Sequence, residues 1–174
     1  AGGLATADEA HRIRHLRLTR HVIADGESLP CPTHHGDPLP LDRRSFVAAW
    51  ALTFSDGKLA GRRRIAEDEG CGDGELPLYA YLEVPPPWTW FNNTQYVDTL
   101  NPDAMRCFIS ETHEKYRDAV GDRFGSVIPA IFTDEPLFRG MDIPASPADD
   151  RDLFLSWTDD LPETFRKAYD EDLL

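Results

Sequence analysis

The sequence predicts an α/β fold, and three observations carry that expectation. An apolar run, Leu78-Tyr79-Ala80-Tyr81-Leu82-Glu83-Val84, stops at Pro85-Pro86-Pro87. A helix signal follows at 101–120, and then a second apolar run, Val127-Ile128-Pro129-Ala130-Ile131-Phe132-Thr133, without polar alternation. Strand, helix and strand in that order make a βα repeat, and a strand apolar on both faces belongs in a parallel sheet flanked by helices. A closed (β/α)8 barrel needs eight such units and about 250 residues. Two are complete here, so the residues alone leave a small open sheet or a piece of a barrel.

Before residue 78 the texture differs. His15-Leu16-Arg17-Leu18-Thr19 and Val22-Ile23 read as short strands, and Pro30 to Pro40 as a proline-rich loop. Ser45 to Phe54 and Leu59 to Ile65 read as two strands around Ser55-Asp56-Gly57-Lys58. Asp-Gly between such runs marks a tight hairpin, because glycine reaches positive φ without steric penalty. Glu67 to Gly74 is an acidic, glycine-rich linker, so residues 12–75 form a β-rich insertion or subdomain. In the helix at 101–120, Asn101 is a favoured N-cap, Pro102 suits the first turn and Asp103 complements the positive end of the dipole. Met105, Phe108, Ile109, Thr112, Tyr116 and Ala119 recur at helical spacing as its inward stripe, and Gly121 is the stop. A last helix is expected from about Pro162 to Tyr169, with Phe165 and Ala168-Tyr169 inward.

Charge narrows the function classes. The 174 residues carry 18 Lys+Arg and 31 Asp+Glu, a net charge of -13. Residues 1–64 hold ten basic and seven acidic residues (+3), and residues 65–174 hold eight and twenty-four (-16). So acidic a chain makes a poor partner for a phosphate backbone, and no nucleic-acid partner is expected. Arg62-Arg63-Arg64 reads as a solvated strand edge. No apolar run approaches the roughly 20 residues of a membrane-spanning helix, and no signal peptide is visible at the start, so no membrane partner is expected. The compartment stays open. The three cysteines, Cys31, Cys71 and Cys107, have neither disulfide-framework nor zinc-site spacing.

The chemistry concentrates at Ile131-Phe132-Thr133-Asp134-Glu135-Pro136, where the apolar run ends in two carboxylates. Adjacent strand residues point to opposite sides, so one carboxylate would move a proton while the other braces its surroundings. A glutamate against low-dielectric walls keeps its neutral form, as a general acid requires. The other reading has Asp134 capping a turn and Glu135 on the surface. Upstream, Trp88 to Asp98 joins aromatic rings to amides; Trp90, Asn93, Gln95 and Asp98 match the flat faces and hydroxyl rims of sugars, and Trp157 repeats the theme near Asp159-Asp160. A hydrophobic loop folded over the core would use the same residues, Trp88 above all. Asn92-Asn93-Thr94 also fits the N-glycosylation acceptor pattern.

Tyr96-Val97-Asp98-Thr99-Leu100-Asn101-Pro102, Thr112-His113-Glu114-Lys115-Tyr116, Phe124-Gly125 and Ile131 to Pro136 together resemble a group of large glycoside-hydrolase-like proteins. In that group a (β/α)8 catalytic barrel, similar to the retaining β-glycosidase clan, is followed by β-sandwich modules that bind sugar. The resemblance is strongest over residues 78–165. It implies a partial (β/α)8 barrel-like segment with a β-rich insertion in its N-terminal half: residues 1–11 as the end of a preceding barrel element, 12–75 as the insertion, and 76–174 as βα units. It also implies Glu135 as acid/base, with Asp134 where the clan keeps an Asn; with the residue reading above, Trp90, Asn93, Gln95, Asp98, Asp134 and Trp157 are then expected in contact with a carbohydrate substrate. The nucleophile would lie beyond Leu174, so the isolated chain is expected to be inactive. No metal or cofactor is implied, and exposed barrel faces would favour self-association. The rival is a non-catalytic carbohydrate-binding or structural domain using Trp88, Trp90 and Trp157; a third reading is an incomplete product with no function of its own.

Other constellations fail on geometry. Neighbouring His34 and His35, near Cys31, diverge rather than converge on a metal. His113-Glu114 lacks the second histidine of the zinc-protease motif, since position 117 is Arg. No serine stands in a Gly-x-Ser-x-Gly elbow.

Overall fold

A computed structural model describes residues 3–24, 29–30, 38–39, 43–134, 136 and 144–174, with side chains at 3–24, 45–134, 136 and 144–174. The chain divides into two compact units. One comprises Ala1–Ile13, Pro87–Phe138 and Thr158–Asp160; the other comprises Arg14–Pro86, Arg139–Trp157 and Leu161–Leu174.

The second unit is built on a five-stranded sheet. Its strands are β1 (Arg14–Thr19), β4 (Arg43–Ser55), β5 (Lys58–Ile65), β6 (Leu76–Val84) and β7 (Leu153–Trp157), in the order β5-β4-β6-β1-β7. Every pairing is antiparallel. β2 (Leu29–Pro30) and β3 (Pro38–Leu39) form a separate two-stranded ribbon. The β4–β5 connection is the expected hairpin: Asp56 at φ 50° and Gly57 at φ 74° make the left-handed turn whose twist matches its strands. Register sorts the side chains between two faces. Leu16 sits opposite Leu82 and Leu155, and Leu18 opposite Ala80 and Leu153. That face packs Leu16, Ala48, Trp50, Leu52, Ala80 and Trp157 into a core, with Leu161 of helix α3 (Leu161–Tyr169) and Leu173 and Leu174 against it. A β-bulge in β4 between Phe46 and Ala48 sets Val47 outside the ladder and brings Trp50 onto this face.

The opposite face of the sheet buries an ion pair beside a second apolar cluster. Arg17 and Glu83 are 1% and 2% exposed, and Arg17 Nε lies 2.7 Å from Glu83 Oε1, an ion pair without the angular alignment of a hydrogen bond. Arg17 also pairs with Asp152, and its guanidinium lies 4.5 Å from the centre of the Phe154 ring. Tyr81 is buried alongside Ala49, Ala51, Ile65 and Tyr79; its hydroxyl donates to Glu67 Oε1 (2.8 Å) and accepts from Ile23 N (3.2 Å). Burial, aided by Glu67, pushes the Tyr81 hydroxyl up to about 12. A raised folded-state value means that this tyrosine's contribution is complete below the ordinary tyrosine range of about 10 and is lost as pH climbs through about 12. Urea midpoints followed from pH 8 upward are expected to fall through that window, and Tyr81→Phe to flatten the fall.

The first unit opens with the 3-10 turns Gly3–Ala7 and Glu9–His11 and holds a helical stretch made of α1 (Pro102–Ile109), a π turn (Ser110–Glu114) and α2 (Lys115–Val120). Asn101 caps α1, its Oδ1 accepting from Asp103 N (2.9 Å) and Ala104 N (3.3 Å), while its amide donates to Ala10 O (3.2 Å). Ala5, Val97 and Ala104 form a small core with Tyr96, Met105, Cys107 and Phe108. Thr112 Oγ1 donates back to the Phe108 carbonyl inside the π turn. Such back-bonding disturbs the helical ladder, and one extra residue rotates everything after it by about 100°. Tyr116 and Ala119, after the turn, are exposed, and so is Ile109 before it, so the expected inward stripe is broken. Gly121 is the C-cap of α2, as expected, and a 3-10 turn, Gly121–Arg123, follows it.

The partial (β/α)8 barrel is thus overturned by an antiparallel sheet. β6, expected to begin a parallel βα unit, is paired on both sides to antiparallel strands from the stretch read as an insertion. The second expected strand does not form. Residues 129–134 have no regular structure, and Val127, Ile131 and Phe132 are 75%, 61% and 88% exposed. The absence of alternation there, taken for cover on both faces, reflects cover on neither. With no barrel, the expected self-association through barrel faces loses its basis. Among the described residues no helix is long and apolar enough to cross a membrane.

Candidate functional site

The candidate site is the aromatic loop of the first unit, Trp88 to Tyr96. The chain enters it extended at Trp88, makes a 3-10 turn over Thr89–Phe91 and reverses through Asn92 and Asn93, both left-handed at φ 59° and 57°. Asparagine tolerates that region better than most residues, because its short side chain can bond the local backbone. The loop is closed at its base. Trp88 N donates to Thr94 O (3.1 Å), Asn93 N to Trp88 O (3.0 Å) and Phe91 N to Trp88 O (3.0 Å). Thr94 Oγ1 donates to Phe91 O (2.6 Å) and accepts from Gly3 N (3.2 Å).

The rings are stacked in series. Tyr96 meets Phe91 at 4.9 Å between centroids, Phe91 meets Trp88 edge-on at 5.2 Å, and Trp88 meets Trp90 at 6.2 Å with 31° between planes. These spacings lie in the favourable range for aromatic pairs. Trp88, Phe91 and Tyr96 are half-buried supports, whereas Trp90 at the end of the series is 79% exposed, beside exposed Asn92 and Asn93. A large ring held at that exposure by a rigid base is a stacking surface already paid for in entropy.

The residues expected at the site separate into groups. Trp90 and Asn93 are on the exposed loop. Gln95 and Asp98 are buried, at 6% and 3% exposure, and Asp98 is a turn residue: its Oδ1 accepts from Leu100 N (3.0 Å) and its amide donates to His11 O (2.8 Å). These two hold the loop rather than face a ligand. Trp157 is 7% exposed, ends β7 and belongs to the core of the other unit, so it is a packing residue and not a platform. Glu135 lies outside the described residues, as do the side chains of Cys31, His34 and His35. Asp134 is exposed, and its carbonyl accepts from Thr133 Oγ1 (3.4 Å). Ile131 and Phe132, just before it, are exposed as well. Among the described residues no group of three or more His, Cys, Asp or Glu is placed to hold a metal ion.

Compared with known proteins, the chain matches no family model, no curated protein and no solved structure. The function must be argued from the loop itself. Sequence reasoning missed the part played by Phe91 and Tyr96, which carry Trp88 and through it Trp90; the signal was their spacing around the Asn92-Asn93 reversal.

Proposed function

We propose that the chain is a carbohydrate-binding part of a glycan-processing protein, and that it meets sugar with Trp90 and the Asn92 and Asn93 amides. The observation that carries this reading is the 79% exposure of Trp90 on a loop whose base is fixed by backbone hydrogen bonds. A sugar ring offers a flat C–H face for the indole and hydroxyls for the amides, and the fixed loop spares the ordering that binding otherwise requires. The test is calorimetric titration with a panel of neutral oligosaccharides, cellohexaose and xylohexaose among them. Trp90→Ala is expected to weaken binding at least tenfold while circular dichroism stays unchanged. Binding unaffected by that substitution, or binding to none of the panel, overturns the reading.

The hydrolase reading of the whole protein rests on the likeness of Thr133-Asp134-Glu135-Pro136. On it, Glu135 is the acid/base, and a second carboxylate comes from elsewhere in the protein, about 5–5.5 Å away for a retaining reaction. In the same assays Glu135→Gln leaves sugar binding intact and removes turnover by the whole protein; unchanged turnover sinks the assignment.

A further inference from the structure

The apolar face of the sheet unit is not sealed. An open groove of about 280 Å³ runs over it, lined chiefly by Leu52, Leu78, Leu155 and the indoles of Trp50 and Trp157, with Arg62 at its lip. The register places Arg62 opposite Leu52, so its side chain rises from the leucine face. Its neighbours are engaged: Arg63 pairs with Glu69 and Glu75, while Arg64 lies over the Trp50 ring and donates to Val47 O. Arg62 makes no ion pair among the described residues and is exposed. A cation standing beside an apolar trough, with no ion-pair partner among the described residues, matches a ligand that carries an apolar tail and one negative charge.

We propose that the groove binds a single-chain anionic amphiphile, a medium-chain carboxylate whose tail lies along the leucines and whose head pairs with Arg62. The volume sits just under the roughly 300–1,000 Å³ of small-molecule sites, so it suits one alkyl chain. A helix, about 10 Å across, needs more room. The chain's net charge of -13 is unevenly spread: residues 57–65 contain Lys58, Arg62, Arg63 and Arg64 and no acid, so the strand that carries Arg62 is basic.

The experiment titrates the protein with decanoate below its micelle concentration, with octanoate, decan-1-ol and decyltrimethylammonium as comparisons. Decanoate is expected to bind about tenfold tighter than octanoate, as two more buried methylenes dictate, and tighter than either ten-carbon comparison. Arg62→Glu, at an exposed position, is expected to weaken decanoate about tenfold and to strengthen the cationic amphiphile. Location is read in a Trp88→Phe/Trp90→Phe variant, in which Trp50 and Trp157 are the remaining tryptophans of the four; 10-bromodecanoate should quench them. Equal affinity for the alcohol and the carboxylate, indifference to Arg62→Glu, or absence of quenching each overturns the proposal.

Discussion

Arg17→Met is expected to lower the unfolding free energy by about 3–5 kcal/mol, measured by urea denaturation, because it breaks a buried ion pair by removing one partner. Glu83 is 2% exposed and holds Arg17 at 2.7 Å, so loss of the guanidinium takes a countercharge from a buried carboxylate. The same principle gives a stronger test. Arg17→Met with Glu83→Leu removes both charges, and the double variant should recover most of the lost stability, since buried pairs often contribute little over well-packed apolar groups. The Phe154 ring under the guanidinium is already a suitable neighbour for a methionine. A single variant within about 1 kcal/mol of the parent would mean that Glu83 does not depend on Arg17 for its place in the interior.

Trp157→Ala should cost about 3–5 kcal/mol in the same measurement, the usual range for emptying a buried indole site. Trp157 closes β7, pairs in register with Arg14 and packs into the core with Leu16, Trp50 and Leu52. Its effect on sugar binding, measured on the folded fraction, should be negligible. That contrast separates it from Trp90, for which the expected order is reversed: little stability lost, most of the binding gone. If Trp157→Ala instead spared stability and abolished sugar binding, the division between core and platform drawn here would be wrong.

What could be read from the chain was local. Asn101-Pro102-Asp103 announces the helix start, and Asn101 caps it; Asp56-Gly57 announces the β4–β5 hairpin, and both residues take positive φ. What could not be read was pairing between distant segments. The neighbours of β6 are set by β1 and β4, and nothing within Leu78 to Val84 says whether those neighbours run parallel or antiparallel. β7 escaped notice because Leu153-Phe154-Leu155-Ser156-Trp157 is short and its aromatic end suggested a ligand; its role appears once β1 lies beside it. The run at 127–133 shows the same limit in reverse, since apolar composition signals a buried strand only where something covers it. At the site, Trp90 and Asn93 were legible as exposed loop residues because Asn-rich reversals project side chains outward. Gln95 and Asp98 were not, because a buried amide and a solvated one have the same letter. Arg17 and Glu83, in otherwise apolar strands, were a legible oddity: charged residues at interior positions of β1 and β6 imply each other.

The bulge at Val47 gives β4 two phases. Residues of odd number face the groove side up to it, and residues of even number do so from Ala48 onward, which is how Ser45 and Trp50 come to share a face. A relative aligned to this chain by its pattern of apolar and polar letters would slide by one position at this point unless a gap were opened. On the far side of the slip, every tryptophan, leucine and alanine of the strand's second half would be credited to the wrong surface.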